Sequence, residues 1–362
     1  MRRREGWLAV PVLALFPAVA HANAGTPLMW ATVIHLFLGN ALLGVFEGLL
    51  LGFLFRTSKW KAVLLLIAAN YASAWLGFAL LSLVDAERMG LTIQNVYWWQ
   101  WGAAGVAFLV TLVIEFPFFL VALRKKESFV RKALIACLLI QGISYALLIG
   151  WYARSSAAAI VTELDIVSPS EMGAPEGYRL YYIDAGGERM VRSDLEGKNL
   201  ETLREVQAED PDDRLVARPG ENGGYDLHLL RAKNESVVLE NFAAAASVDW
   251  LIQQRRDPAP TSGNFGSVPG VAVKSDWEYH MGYWPAEGIN GWCENQQRSF
   301  RYSLETPFAA WNVRNAVHIS GDFVVFQLGR DQICILQPQE KRIALIARGK
   351  GPVVAKDKAP AE

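Results

Sequence analysis

Cysteine and histidine are scarce in this chain, with three Cys and five His in 362 residues. That excludes zinc modules and small disulfide-stapled folds, both of which need dense, regularly spaced cysteines. The histidines stand apart, without HExxH or CxxC spacing, and the chain carries no GxSxG elbow or P-loop. No metal set and no cofactor is therefore expected. Charge is thin too: 35 Lys and Arg against 36 Asp and Glu leave a formal charge of −1, which offers nucleic acid no bulk attraction. What is plentiful is apolar sequence, concentrated before residue 153.

The order of Arg2, Arg3 and Arg4, an apolar run from Trp7 to Ala20, and Ala22, Asn23 and Ala24 before Gly25 reads as a signal peptide over 1–24. The alternative is an uncleaved anchor, which Pro11 and Pro17 interrupt. Four apolar stretches follow, about Leu28 to Phe55, Ala62 to Val84, Tyr97 to Leu123 and Ala133 to Tyr152, each long enough for a hydrocarbon layer of about 30 Å. The loops with Arg56, Lys59 and Lys61 and with Arg124, Lys125, Lys126, Arg131 and Lys132 are the basic ones, so they are expected in the cytoplasm. Trp30, Trp98, Trp99, Trp101 and Trp151 mark the outer ends. The expectation is a multi-pass protein of a bacterial plasma membrane, with a four-helix transmembrane domain over 25–153 in contact with membrane lipid. A periplasmic β domain follows over 154–352, then a flexible tail over 353–362.

The spans read as a duplicated hairpin. Aligning first on third pairs Trp30 with Trp98, Glu47 with Glu115 and Arg56 with Arg124; aligning second on fourth pairs Lys61 with Lys132, Asn70 with Gln141 and Ser73 with Ser144. Glu47 and Glu115 each lie nine residues from a cytoplasmic arginine, and Asn70 and Gln141 nine from a cytoplasmic lysine. That is a depth of about 13.5 Å, close to mid-bilayer. Asn40, nearly two turns before Glu47, shares its face and is placed in the same polar layer. Gly44, Gly48 and Gly52 have small-xxx-small spacing beside Glu47, and Pro117 follows Glu115 by two residues. An ionised carboxylate at that depth is costly, so each Glu is expected to face the bundle and to be protonated or share a proton with a carboxamide. Two readings compete: hydrogen-bonded glue between helices, or a proton or cation site. His35 is expected near the outer surface, and with no second intramembrane histidine a bis-His haem is not supported.

After about Ser155 glycine, proline and charge rise and apolar residues alternate, as in strands. Tyr178 to Leu203 gives a strand (Leu180 to Ile183), a turn at Asp184 to Gly187, a second strand (Arg189 to Ser193) and a turn at Asp194 to Lys198. That passage resembles a propeller blade of the YWTD or TolB-like kind, over 178–203 alone, and implies a propeller-like domain; a β-sandwich is the alternative. Further hairpin units are read over Leu215 to Phe242 and Ala316 to Ala347. Cys293 and Cys334 are a possible disulfide in an oxidising compartment, while Cys137 belongs to the fourth span. The acidic run from Glu209 to Asp213 is read as a solvated turn. Trp277, Tyr279, Tyr283, Trp284 and Trp292 form a candidate binding face for an envelope protein, glycan or lipid headgroup. The expected function is a non-enzymatic anchor or assembly factor presenting a binding or sensing domain. The alternative is a small proton- or cation-coupled protein using Glu47 and Glu115.

Overall fold

A computed structural model describes residues 27–81, 89–155, 163–221, 223–231, 234–247, 266–282, 288–306 and 309–356. The signal-peptide segment, Tyr283 and Trp284 lie outside the described residues. The first span consists of α1 (Pro27–Ile34), a π-helical turn (His35–Gly39) and α2 (Asn40–Leu54). The others are α3 (Lys59–Leu81), α4 (Val96–Leu123) and α5 (Phe129–Ser155). All four are long and apolar enough to cross a membrane, as in a multi-pass membrane protein. Each packs on the next in sequence and the fourth returns to the first, closing a four-helix bundle.

Glycine decides the first crossing. A Cβ on Gly44 would lie 2.5 Å from the Ile67 Cα, and one on Gly48 would collide with the Val63 backbone. The stripe therefore lets α2 and α3 touch backbone to backbone. Toward the basic loops the bundle interior is apolar, with Leu51, Leu66, Phe119, Leu123, Ala133, Ala136, Cys137 and Ile140 fully buried.

The C-terminal part is a large curled β-sheet domain. Its main sheet runs in the order β10 (Gly270–Val271), β16 (Val313–Ile319), β17 (Phe323–Leu328), β18 (Gln332–Gln337), β19 (Arg342–Lys356), β2 (Tyr178–Asp184), β3 (Arg189–Ser193) and β4 (Glu201–Glu205); β1 (Asp165–Ile166) and β8 (Ala245–Ala246) also pair with β19, and β14 (Glu305–Thr306) pairs with β15 (Ala309–Ala310) apart from it. The strands read from 178–203 fall where expected, with β2 and β3 containing or matching them. β19 serves two meanders: Arg342 to Arg348 pair with β18, and Gly349 to Lys356 pair with β2. Within the second stretch the register shifts between Lys350 and Val353, the irregularity that holds Gly351. Gly351 has φ +60°, and a Cβ there would lie 2.6 Å from the Arg214 Cα, so both the irregularity and the neighbouring strand require glycine. The expected flexible tail is corrected at its start, because Val353, Val354 and Ala355 are buried sheet residues; their alternation with Tyr181 and Leu180 gives them core to pack on.

β5 (Arg214–Pro219), β6 (Tyr225–Arg231) and β7 (Asn234–Ala243) form a three-stranded sheet across the 215–242 unit. β9 (Gly266–Ser267), β11 (Trp277–Met281), β12 (Ile289–Cys293) and β13 (Arg298–Tyr302) form a small four-stranded one. β17 and β18 are buried on both faces: Val324, Phe326, Cys334 and Leu336 join one apolar cluster and Val325, Ile333 and Ile335 another. That is why these strands read as unbroken apolar runs.

The first of those clusters holds an intruder from the membrane half. Leu91, Ile93 and Val96, from the connection between the second and third spans, are buried among Trp277, Tyr279, Trp311, Phe326, Leu328 and Cys334. The Ile93 N–H donates to the Gln332 Oε1 at 2.8 Å. Asn95 shapes the connection, accepting from the Thr92 N–H at 2.8 Å and donating to the Gly90 carbonyl at 3.1 Å. The second span thus ends, and the third begins, at the same end of the bundle as the β domain.

Candidate functional site

The middle of the bundle holds a closed ring of side-chain hydrogen bonds. Glu47 accepts from Asn70 Nδ2 at 2.6 Å and from Ser144 Oγ at 2.5 Å. Glu115 accepts from Gln141 Nε2 at 2.5 Å and from Ser73 Oγ at 2.6 Å. Each glutamate therefore takes the carboxamide of its own hairpin and the serine of the other. Every adjacent pair of spans is tied once, and the aligned residues play equivalent parts. Gln141 Nε2 also reaches Glu47 Oε1 at 3.4 Å, so one amide is shared between the two carboxyls. Among the described residues no cation contacts either carboxyl, and all donors are neutral.

Helical geometry explains the ring. Asn70 and Ser73, and likewise Gln141 and Ser144, are three apart, which puts carboxamide and hydroxyl on one helix face. Glu47, Glu115, Asn70, Gln141 and Ser144 are buried, in a layer whose alternative partner is hydrocarbon. Asn40 is the exception to the expected layer. Its Nδ2 donates at 3.1 Å to the Leu36 carbonyl, four residues earlier in its own span. Facing the right way did not suffice: Asn70 bonds the Leu66 carbonyl in the same manner and also reaches Glu47, whereas the Asn40 amide is given to its own span.

Further polar contacts lie on the β-domain side of this ring. Tyr71 OH donates to the Phe37 carbonyl at 2.5 Å, Thr111 Oγ1 pairs with Tyr145 OH at 2.8 Å, and His35 Nδ1 pairs with Tyr152 OH at 2.7 Å. Sequence reading passed over these tyrosines, although Tyr71 and Tyr145 each adjoin a layer residue and Thr111 lies one turn before Glu115. The bundle is thus polar from its middle toward the β domain and apolar toward the basic loops.

No protein-family model matches the chain, and no curated protein matches it.

In the β domain the expected aromatic face divides. Trp277 and Tyr279 point into the core beside Phe300, whereas Trp292 is 40% exposed. Strand alternation is the reason: Trp277 and Tyr279 lie opposite Cys293 and Gly291 on the inward side, and Trp292 lies opposite Glu278 on the outward side. The possible disulfide is corrected as well. Cys293 and Cys334 are free thiols, each buried in the apolar cluster between the small sheet and the main one. Burial pushes the Cys334 thiol far up, so it is an inert packed group.

The acidic run is only partly a solvated turn. Asp213 is buried and accepts from the Asp210 N–H at 3.1 Å, while Lys350 Nζ donates to the Ala208 and Asp210 carbonyls at 2.5 and 2.6 Å. Burial lowers the Lys350 ammonium, and the aspartates around it act against that shift. This latch fastens β19 to the loop before β5. Elsewhere Asp322 Oδ1 takes both the Ser275 hydroxyl and His318 Nε2, the latter at 3.3 Å. Since hydroxyl and imidazole bond the carboxylate and not each other, the relay of a serine hydrolase is not formed. Among the described residues no three His, Cys, Asp or Glu gather as a metal site.

Proposed function

We propose that this is an integral protein of a bacterial plasma membrane whose bundle anchors a periplasmic β domain in a fixed posture, as a non-enzymatic binding or assembly factor. The observation that carries the reading is the insertion of Leu91, Ile93 and Val96 into the β-domain core. A tethered domain on a loose linker needs no such contact; a domain that must present one face at a set orientation does. The hydrogen-bond ring fits the same reading as interhelical glue, since both glutamates are fully engaged by neighbouring helices. The equivalent bonds of the two hairpins favour a duplicated unit.

The second reading, a proton or cation site, draws on the amide that Glu47 and Glu115 share. The apolar packing toward the basic loops argues against conduction. Proton flux into liposomes carrying the full-length protein decides between the two. No flux from wild type, and folded protein from Glu47→Gln with Glu115→Gln, is the expected result. Flux that the folded double variant abolishes would replace the anchor reading with the second one.

A further inference from the structure

We propose that the outward face of the small β-sheet is a platform for neutral pyranose rings of a glycan. The proposal rests on the binding reading above and names its ligand class. Two cross-strand rows make the face: Glu278, Trp292 and Ser299 lie opposite one another, as do His280, Asn290 and Arg301. With strands about 4.8 Å apart and alternate residues about 7 Å apart along each, the six occupy a patch about 10 Å by 7 Å, the footprint of one or two sugar rings.

The composition of the patch selects the ligand. Every other described Phe, Tyr and Trp of the β domain is buried or half-buried, while the Trp292 indole lies open to solvent in the middle of its row. Around it stand a carboxylate, an amide, a hydroxyl, an imidazole and a guanidinium, with no aliphatic side chain. A pyranose offers the matching pair of surfaces, a C–H face that lies on an indole and a rim of hydroxyls that both donate and accept. A protein hot spot would be ringed by apolar contacts that exclude water. Nucleic acid or an anionic lipid headgroup would call for an excess of positive charge, whereas Glu278 offsets Arg301 here. Paired backbone holds these groups in place, so little ordering is needed on binding.

The test uses full-length protein in lipid nanodiscs, titrated with chitotetraose, cellotetraose and maltotetraose and followed by tryptophan fluorescence and thermophoresis. At least one should saturate, with affinity at least about 30-fold weaker in Trp292→Ala and partly kept in Trp292→Tyr. Val237→Ala, at an exposed site on another sheet, should bind as wild type. Circular dichroism of each variant reports whether it is folded. No saturation by any of the three up to ~10 mM, or binding undisturbed in a folded Trp292→Ala, overturns the proposal. A protein or lipid-vesicle partner that binds wild type and is lost in a folded Trp292→Ala, while none of the three sugars saturates, would sink the glycan platform and leave the anchor reading standing. Proton flux lost in the glutamine variant would sink the anchor reading by itself.

Discussion

Truncating Ile93 to alanine should loosen the β domain from a position that the sequence assigns to the membrane half. The side chain is fully buried and its backbone N–H is held by Gln332 at 2.8 Å, so the substitution removes packing and leaves the hydrogen bond. Three carbons at about 0.8 kcal/mol each give about 2.4 kcal/mol, and the unfilled space brings the loss to about 3–4 kcal/mol. The loss should fall on the strands around the cavity, β11, β12 and β18, and leave the middle of the bundle unchanged. Hydrogen exchange with mass spectrometry on protein in nanodiscs reads this directly. Each 1.4 kcal/mol is a tenfold change, so amides over 289–293 and 332–337 should exchange on the order of 100-fold faster or more. Met89→Ala is the control, since that side chain sits in the same connection at 66% exposure and should change nothing. If Ile93→Ala leaves β18 as protected as wild type, or loosens only the helices, the insertion does not hold the β domain.

Two further outcomes follow from named contacts. Ser73→Ala and Ser144→Ala remove equivalent bonds to different glutamates, so each should cost about 0.6–1.7 kcal/mol, and because Gln141 links the two glutamates in one ring the double variant should depart from the sum by about 0.5 kcal/mol or more; unequal single costs would break the equivalence of the hairpins, and strictly additive ones the coupling of the ring. Burial holds the His318 ring below the usual histidine range, against the pull of Asp322. The unfolded chain therefore takes up the proton first as pH falls below about 6.5, and stability declines from there down to the folded-state value, with no contribution above it. The β-domain melting temperature should fall between pH 7 and pH 5, and His318→Gln should flatten that slope; an unchanged slope would assign the acid sensitivity to other groups.

How much could be read in advance depended on how improbable each residue was in its setting. Glutamate, asparagine and glutamine are rare in an apolar span, so Glu47, Glu115, Asn70 and Gln141 announced a shared layer, and Ser73 and Ser144 followed from the same alignment. Asn40 was equally conspicuous, but its amide is given to the Leu36 carbonyl of its own span, an outcome that facing direction alone does not reveal. The aromatic face failed for a different reason. Inward and outward residues of a hairpin depend on register, and Gly291 and Cys293 opposite Tyr279 and Trp277 decide which rings are core. The end of β19 was hidden because Gly349, Gly351 and Pro352 read as the close of the β domain, whereas the strand runs on through them to Lys356.

The connection over 89–96 is where composition and packing part most clearly. By sequence it is a short link between two apolar spans, read as ending at Val84 and beginning at Tyr97. By packing it belongs to the β domain, whose cluster around Trp277 and Trp311 would be left with a hole without it. Val96 begins the helix that carries Glu115, so the β-domain core and the hydrogen-bond ring stand at two points of one continuous α4. Glu115, linked through Gln141 to Glu47, thus stands on the same helix whose first residue is packed in the β-domain core. That continuity makes the boundary at residue 154 one of composition. The mechanical unit includes both the β domain and the third helix.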